Sequence, residues 1–231
     1  MAIPLFLATT GHEISKIREL PPNIAWMACH FSPYGTGLTN LPPALPPGSM
    51  VIVNDRIPVC GHDPVLITRQ LSELVDASGC HSILLDFQRP DEPQTAAIVE
   101  ALVHALPCPV GASAPYAQGL DCPVFLPPVP AHILLNDYLR PWQNRPVWLE
   151  AALNAVTVTV SAEGTTVSTS VPDFSKQIHH DRDLHCHYSI TTLQEQIQFH
   201  LFRTPEDLLS LLSVAEHLSV TQAIGLYQEL M

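Results

Sequence analysis

Gly79-Cys80-His81-Ser82-Ile83-Leu84-Leu85-Asp86-Phe87-Gln88-Arg89-Pro90 is the stretch that decides the fold. Its centre, Ser82 to Phe87, is a short and almost continuous apolar run that carries an acid near its end. A strand with one wet face alternates apolar with polar residues, whereas parallel strands covered on both faces are apolar throughout. Working outward, similar runs occur at Ile3 to Ala8, Ile24 to Phe31, Met50 to Asn54, Val110 to Ala114 and Val124 to Leu126. Further runs lie at Val147 to Ala152, Ile197 to Phe202 and Ala223 to Tyr227.

Helical spacing appears between them. Pro64 to Ser78 places Leu66, Ile67, Leu71, Leu74 and Val75 on one face, with Pro64 suited to a first turn and Gly79 to a C-terminal cap. Thr95 to Ala105 and Ala131 to Leu139 read as helices. So does the segment opened by Thr204-Pro205-Glu206-Asp207, an N-cap followed by proline and first-turn acids. Repeated strand–helix–strand units imply right-handed crossovers and a parallel sheet.

The fold class expected is therefore α/β, a (β/α)8-type barrel forming one domain over residues 1–231. Nine strand candidates leave one outside an eight-stranded ring. Ser32 to Gly48 and Pro115 to Asp121 lack a helical period, so the barrel is irregular, with missing helices. An open doubly wound sheet is the alternative. Residues 156–170 break the pattern: Val156 to Val160 and Thr165 to Ser170 alternate around Glu163-Gly164, which is a β-hairpin signal and reads as an insertion. Pro172 to Leu184 reads as a polar loop, and Pro42, Pro43, Pro46 and Pro47 as an extended segment.

Composition bounds the function. Hydrophobic residues make up 46% and charged residues 14%, as in a packed globular chain. A net charge of -12, with only Lys16 and Arg18 in the most basic stretch, argues against nucleic acid as a partner. No run reaches the about 18 apolar residues of a membrane helix. The apolar N-terminus has no Lys or Arg before it and reads as a buried strand rather than a signal peptide. Cys29, Cys60, Cys80, Cys108, Cys122 and Cys186 are scattered and form no C-x-x-C, which suggests a reducing cytoplasm. Nucleotide-binding glycine motifs and G-x-S-x-G do not occur, so no cofactor is expected.

Asp86 then sits at the C-terminal end of a barrel strand, where barrel enzymes keep their chemistry. An acid in an apolar run needs a partner: Arg89, Asp55 through a shared proton, or a ligand. Asn54-Asp55-Arg56 ends the third strand on the same face, so Asp55 and Asp86 offer a carboxylate pair. Glu150 lies in the apolar run Val147-Trp148-Leu149-Glu150-Ala151, with Trp148 available to stack on a sugar ring. Glu229 follows Tyr227 and Gln228 at the end of the last strand.

Around these residues the sequence resembles glycoside hydrolase family 18, the chitinase-like barrels, which carry D-x-x-D-x-D-x-E on their fourth strand. Asp86 falls on the third aspartate, Gln88 on the glutamate, Phe87 on the usual aromatic and Pro90 on the proline. His81 and Ile83 or Leu84 occupy the earlier aspartate positions. Ala223 to Glu229 is similar to the family's last strand, with Tyr227 where tryptophan is usual. The resemblance implies a catalytic glutamate that protonates the leaving oxygen while the substrate's acetamido group attacks the sugar. The amide of Gln88 has no such proton to give. The expectation is a barrel that binds a carbohydrate or related ligand through Asp86, Gln88, Arg89, Trp148, Glu150, Tyr227 and Glu229, without ordinary hydrolysis.

Two other functions compete. One is an enzyme of another class at the barrel mouth, such as a metal-dependent hydrolase, using Asp86 with Asp55, Glu150 or the pair His185 and His187 from His179-His180-Asp181-Arg182-Asp183-Leu184-His185-Cys186-His187. The other is a protein-interaction module that pairs through the hairpin edge. The sequence does not set the oligomeric state.

Overall fold

A computed structural model describes residues 3–17, 21, 23–42, 44–59, 61–89 and 93–231. Arg18, Pro43, Cys60 and Pro90, singled out above, lie outside the described residues. The chain enters through β1 (Leu5–Thr9), the short turn α1 (Gly11–Ile14) and β2 (Ile24–Phe31), beside which β3 (Leu38–Thr39) lies antiparallel. Next come β4 (Met50–Asn54), α2 (Pro64–Ser78), β5 (Ser82–Asp86), α3 (Pro93–Ala105) and β6 (Val110–Ser113). The one-turn α4 (Ala114–Ala117), β7 (Val124–Leu126), α5 (Leu135–Leu139) and β8 (Val147–Glu150) follow. Five antiparallel strands intervene: β9 (Ala155–Ser161), β10 (Gly164–Thr169), β11 (His179–Asp181), β12 (Cys186–Thr192) and β13 (Gln196–Phe202). The chain then returns through α6 (Pro205–Ala215), β14 (Val220–Leu226) and the final turn α7 (Tyr227–Leu230).

Strands β1, β14, β8, β7, β6, β5, β4 and β2 are parallel neighbours in that order, and β2 pairs back onto β1, so the ring closes. The barrel expectation holds and the open sheet does not. Helices are absent between β2 and β4 among the described residues, and reduced to one turn between β6 and β7, where the sequence has no helical period. The caps read from the sequence form: Gly79 ends α2 at φ 64°, and Thr204 with Asp207 makes a capping box on α6. Asp63, which the sequence reading did not single out, accepts the N–H of Val65 at the start of α2.

Several boundaries differ from expectation. The ninth candidate, Ile197 to Phe202, is β13 of the antiparallel sheet and not a barrel strand. The hairpin 156–170 is part of that sheet, in the order β10-β9-β13-β12-β11. The loop expected over Pro172 to Leu184 contains β11, whose three residues pair with β12 and are too short to show a period. The helix expected from Ala131 begins only at Leu135, because Leu134 is extended. Buried Arg203 pins the inserted sheet to the loop after β7, donating to the carbonyls of Val129, Leu184 and His185 and to the Asn154 side chain.

Inside the ring, alternate residues face one another. Phe6, Ala8, Ala25, Met50, Ile52, Leu84, Phe125, Trp148 and Ile224 fill the interior. The intervening residues, such as Val51, Val53, Ile83, Leu85, Val147 and Leu149, pack outward with Ile67, Leu71, Ile98, Leu102, Leu208 and Leu211 of the helices. The large indole of Trp148 fits because β6 contributes Gly111 beneath it: a Cβ there would lie 2.3 Å from Trp148 Cε3. Gly111→Ala must push that ring into a full core. We expect a loss of about 1–3 kcal/mol of unfolding free energy, measured by urea denaturation.

Candidate functional site at the barrel mouth

The alternation that fills the barrel also builds its mouth. On β5 the inward positions run Ser82, Leu84, Asp86, on β4 Met50, Ile52, Asn54, and on β8 Trp148, Glu150. The last inward residue of each strand therefore stands above the apolar plug and carries a polar group. A cavity of about 530 Å³ opens there, with Met27, Ile52, Leu84, Phe125 and Ile224 below and Thr10, His30, Asn54, Asp55, Arg56, Asp86, Gln88 and Glu150 around it.

Strand β2 reaches this rim by changing phase. Its pairing with β4 gains one residue between Trp26 and Cys29, a β-bulge. The Asn54 amide donates to the carbonyls of Met27 and Cys29, both at 3.1 Å, and so fixes the bulge. Met27, Ala28 and His30 all reach the cavity as a result.

The carboxylates are held differently. Asp86 Oδ1 accepts from the Gln88 side-chain amide and, at 3.5 Å, from the Ser113 hydroxyl. Burial pushes its carboxyl above the usual range, the nearby Asp55 charge adds to the rise, and the two hydrogen bonds oppose it. Glu150 is raised by burial first, then by the charges of Asp86 and Glu229, and it has no hydrogen-bond partner among the described residues. Its charge and burial push the Tyr138 hydroxyl up to about 12, burial being the larger cause. Asp55 is buried, and its Oδ2 accepts the backbone N–H groups of Gln88 at 3.0 Å and Arg89 at 2.7 Å. It thereby shapes the loop that presents Gln88.

Asp55, Asp86, Gln88 and Glu150 thus surround one cavity. Other expected site residues stand elsewhere. Arg89 does not pair with Asp86. Its guanidinium is taken up by the backbone carbonyls of Asp55 and Arg56, to which it donates at 3.1 and 3.3 Å. Trp148 is 1% exposed and plugs the barrel, so it offers no open face to a ring. Tyr227 and Glu229 lie past the end of β14, in α7, where Glu229 accepts the N–H of Leu153 at 2.5 Å. His185 is not a strand residue beside His187: it adopts φ 49° in the turn before β12 and bonds Ser210 at 3.0 Å. Met27, His30 and Thr10 were missed in the sequence; the first two are on β2, whose inward phase is changed by its bulge, and Thr10 follows β1 as the N-cap of α1.

The closed parallel ring has the fold of the chitinase-like barrels. No protein-family model matches the chain, and no curated protein matches it in sequence. Solved structures do match it in fold. A plant class V chitinase mutant from Cycas revoluta, in complex with (GlcNAc)3, superimposes with a TM-score of 0.60 at 11% identity over 98% of this chain and 95% of that one. A chitinase-like agglutinin from Robinia pseudoacacia gives 0.57 at 8% identity, covering 98% and 95%. A chitinase from Chromobacterium violaceum gives 0.55 at 9% identity, covering 97% and 93%.

The raised carboxyl of Glu150 has a consequence for stability. Its proton is held more tightly folded than unfolded, so its contribution is fully present below the unfolded value and lost as pH rises through the folded value. Glu150→Gln should therefore stabilise the fold near pH 7 by about 0.5–2 kcal/mol, with the gain disappearing below about pH 4. Thermal unfolding of both chains across that range measures it.

Proposed function

We propose that the barrel mouth binds a carbohydrate, of the N-acetylated amino-sugar type, without ordinary glycoside hydrolysis. The observation that carries this reading is the Gln88 amide bonded to Asp86 at the rim of the cavity. An amide at this place can position a sugar's acetamido or hydroxyl group, and it has no proton for a leaving oxygen. Asp86 and Glu150 supply hydrogen-bonding groups on two sides. Met27, Ile52, Leu84, Phe125 and Ile224 supply the apolar floor that a pyranose C–H face needs. The oligosaccharide in the Cycas chitinase complex and the agglutinin among the similar folds agree with such a ligand.

Calorimetry with N-acetylglucosamine oligomers tests it. Saturable binding is expected, weakened about 10-fold or more in Asp86→Ala because a hydrogen bond to a half-buried acid is lost. Gln88→Glu should bind and gain measurable hydrolysis. No heat at millimolar oligomer overturns the proposal.

A second reading has its own observation. Strand β10 closes one edge of the inserted sheet, all six of its residues are exposed, and no strand pairs with its outer side among the described residues. Such an edge can accept a strand from another chain. A mass that rises with concentration and returns to the single-chain value on deleting residues 162–170 would support it.

A further inference from the structure

The histidine-rich stretch finds a use away from the barrel mouth. Strands β11 and β12 place His180 directly opposite His187, with ring centroids 4.8 Å apart. Both imidazoles turn to one carboxylate. His180 Nε2 lies 3.0 Å from Asp207 Oδ1, and His187 Nδ1 lies 2.7 Å from Asp207 Oδ2. Asp207 is 4% exposed and is fixed by its capping of α6: Thr204 donates to Oδ2 through its N–H at 2.9 Å and its hydroxyl at 3.0 Å. Those bonds and the His187 ring hold the carboxyl below its usual range, against the effect of burial.

We propose that His180, His187 and Asp207 form a binding site for a divalent transition-metal ion, of which zinc is the reference. Two imidazoles and one carboxylate are the donor set that such ions favour over the hard cations calcium and magnesium. One ligand atom from each residue lies within 4.8 Å of the other two. Tetrahedral zinc, with bonds of about 2.0–2.1 Å, needs donors roughly 3.3 Å apart, so both imidazole contacts to Asp207, at 3.0 and 2.7 Å, open by a few tenths of an ångström as the ion replaces the shared protons. His187 packs against Phe202 with rings stacked at 5.8 Å, and Asp207 is locked in its cap, so two of the three donors are positioned before the ion arrives. The exposed side of His180 leaves the fourth position to water.

The charges around the site have been assigned elsewhere. The Arg203 guanidinium is directed to backbone carbonyls and to Asn154, and makes no bond to Asp207. Asp181 accepts the N–H groups of Asp183 and Leu184, and His185 turns to Ser210. The thiol of Cys186 is buried and does not belong to the group of donor atoms formed by His180, His187 and Asp207. Bound here, the ion joins the edge strand β11 and its neighbour β12 to α6, the first helix of the returning barrel.

Equilibrium dialysis of the intact chain with zinc, followed by metal analysis, tests the site, with cobalt as a spectroscopic probe. One ion per chain is expected, with the visible bands of tetrahedral cobalt and a rise in thermal midpoint on adding zinc. His180→Ala and His187→Ala should each weaken binding by about 10-fold or more, whereas His185→Ala should leave it unchanged. Circular dichroism identifies variants that have merely unfolded, and a His180→Gln, His187→Gln double variant keeps the volume of both side chains. Zinc binding equal in that double variant and the natural chain, or none at about 100 μM zinc, overturns the proposal and leaves a hydrogen-bonded His–Asp–His cluster.

Discussion

The closure of eight parallel strands into a ring is the constraint on which the rest depends. Once β2 returns to β1, every second side chain of each strand is committed to the interior, and that interior has a fixed capacity. Trp148 fills the largest share of it and is accommodated only because β6 has Gly111 opposite. The same alternation carries Asp86, Glu150 and Asn54 one step above the plug. Strand β2, with its extra residue, is the exception that brings a stretch of backbone and His30 to the rim. The site is thus the unfinished top layer of the core.

That position sets the electrostatics. The apolar plug lies directly below the acids, so Asp86 and Glu150 lose hydration and hold their protons more tightly than free carboxylates do. Asp86 is compensated by Gln88 and Ser113, and Asp55 by two backbone N–H groups. Glu150 is not compensated in this way. A carboxyl kept under such conditions is a cost to stability near neutral pH.

Much of the ring was legible because its strands are uniformly apolar. All eight barrel strands overlap runs read from the sequence, although β1 runs on to Thr9 and β14 begins three residues early, at Val220. The misplaced ninth, Ile197 to Phe202, carried its own warning. Gln196, Gln198 and His200 alternate with Ile197, Phe199 and Leu201, the period of a strand with one covered face. Asp86, Glu150 and Asp55 could be placed at the mouth from strand ends alone. Trp148 could not, since whether an aromatic points into a barrel or out depends on the phase of its strand and on a glycine two strands away in the ring. The shared partner of His180 and His187 was hidden for a different reason: Asp207 lies in another element and reads as a first-turn acid of a helix, where it also completes the capping box.

The seam of the ring joins β1 to β14, with Leu5 beside Ala223, so the first and last strands of the chain complete the barrel together. Contacts of such long sequence separation are slow to form, since a large loop must close before any of them is rewarded. Until β14 arrives, β1 has only β2 as a neighbour, and the interior faces of Phe6 and Ala8 stay wet. The inserted sheet lies between β8 and β14 in the chain, so its own pairing must not delay that encounter. Three of its four pairings join strands adjacent in sequence, and the fourth, β13 with β9, brings Phe202 beside Ala155 and so shortens the loop that β14 must close.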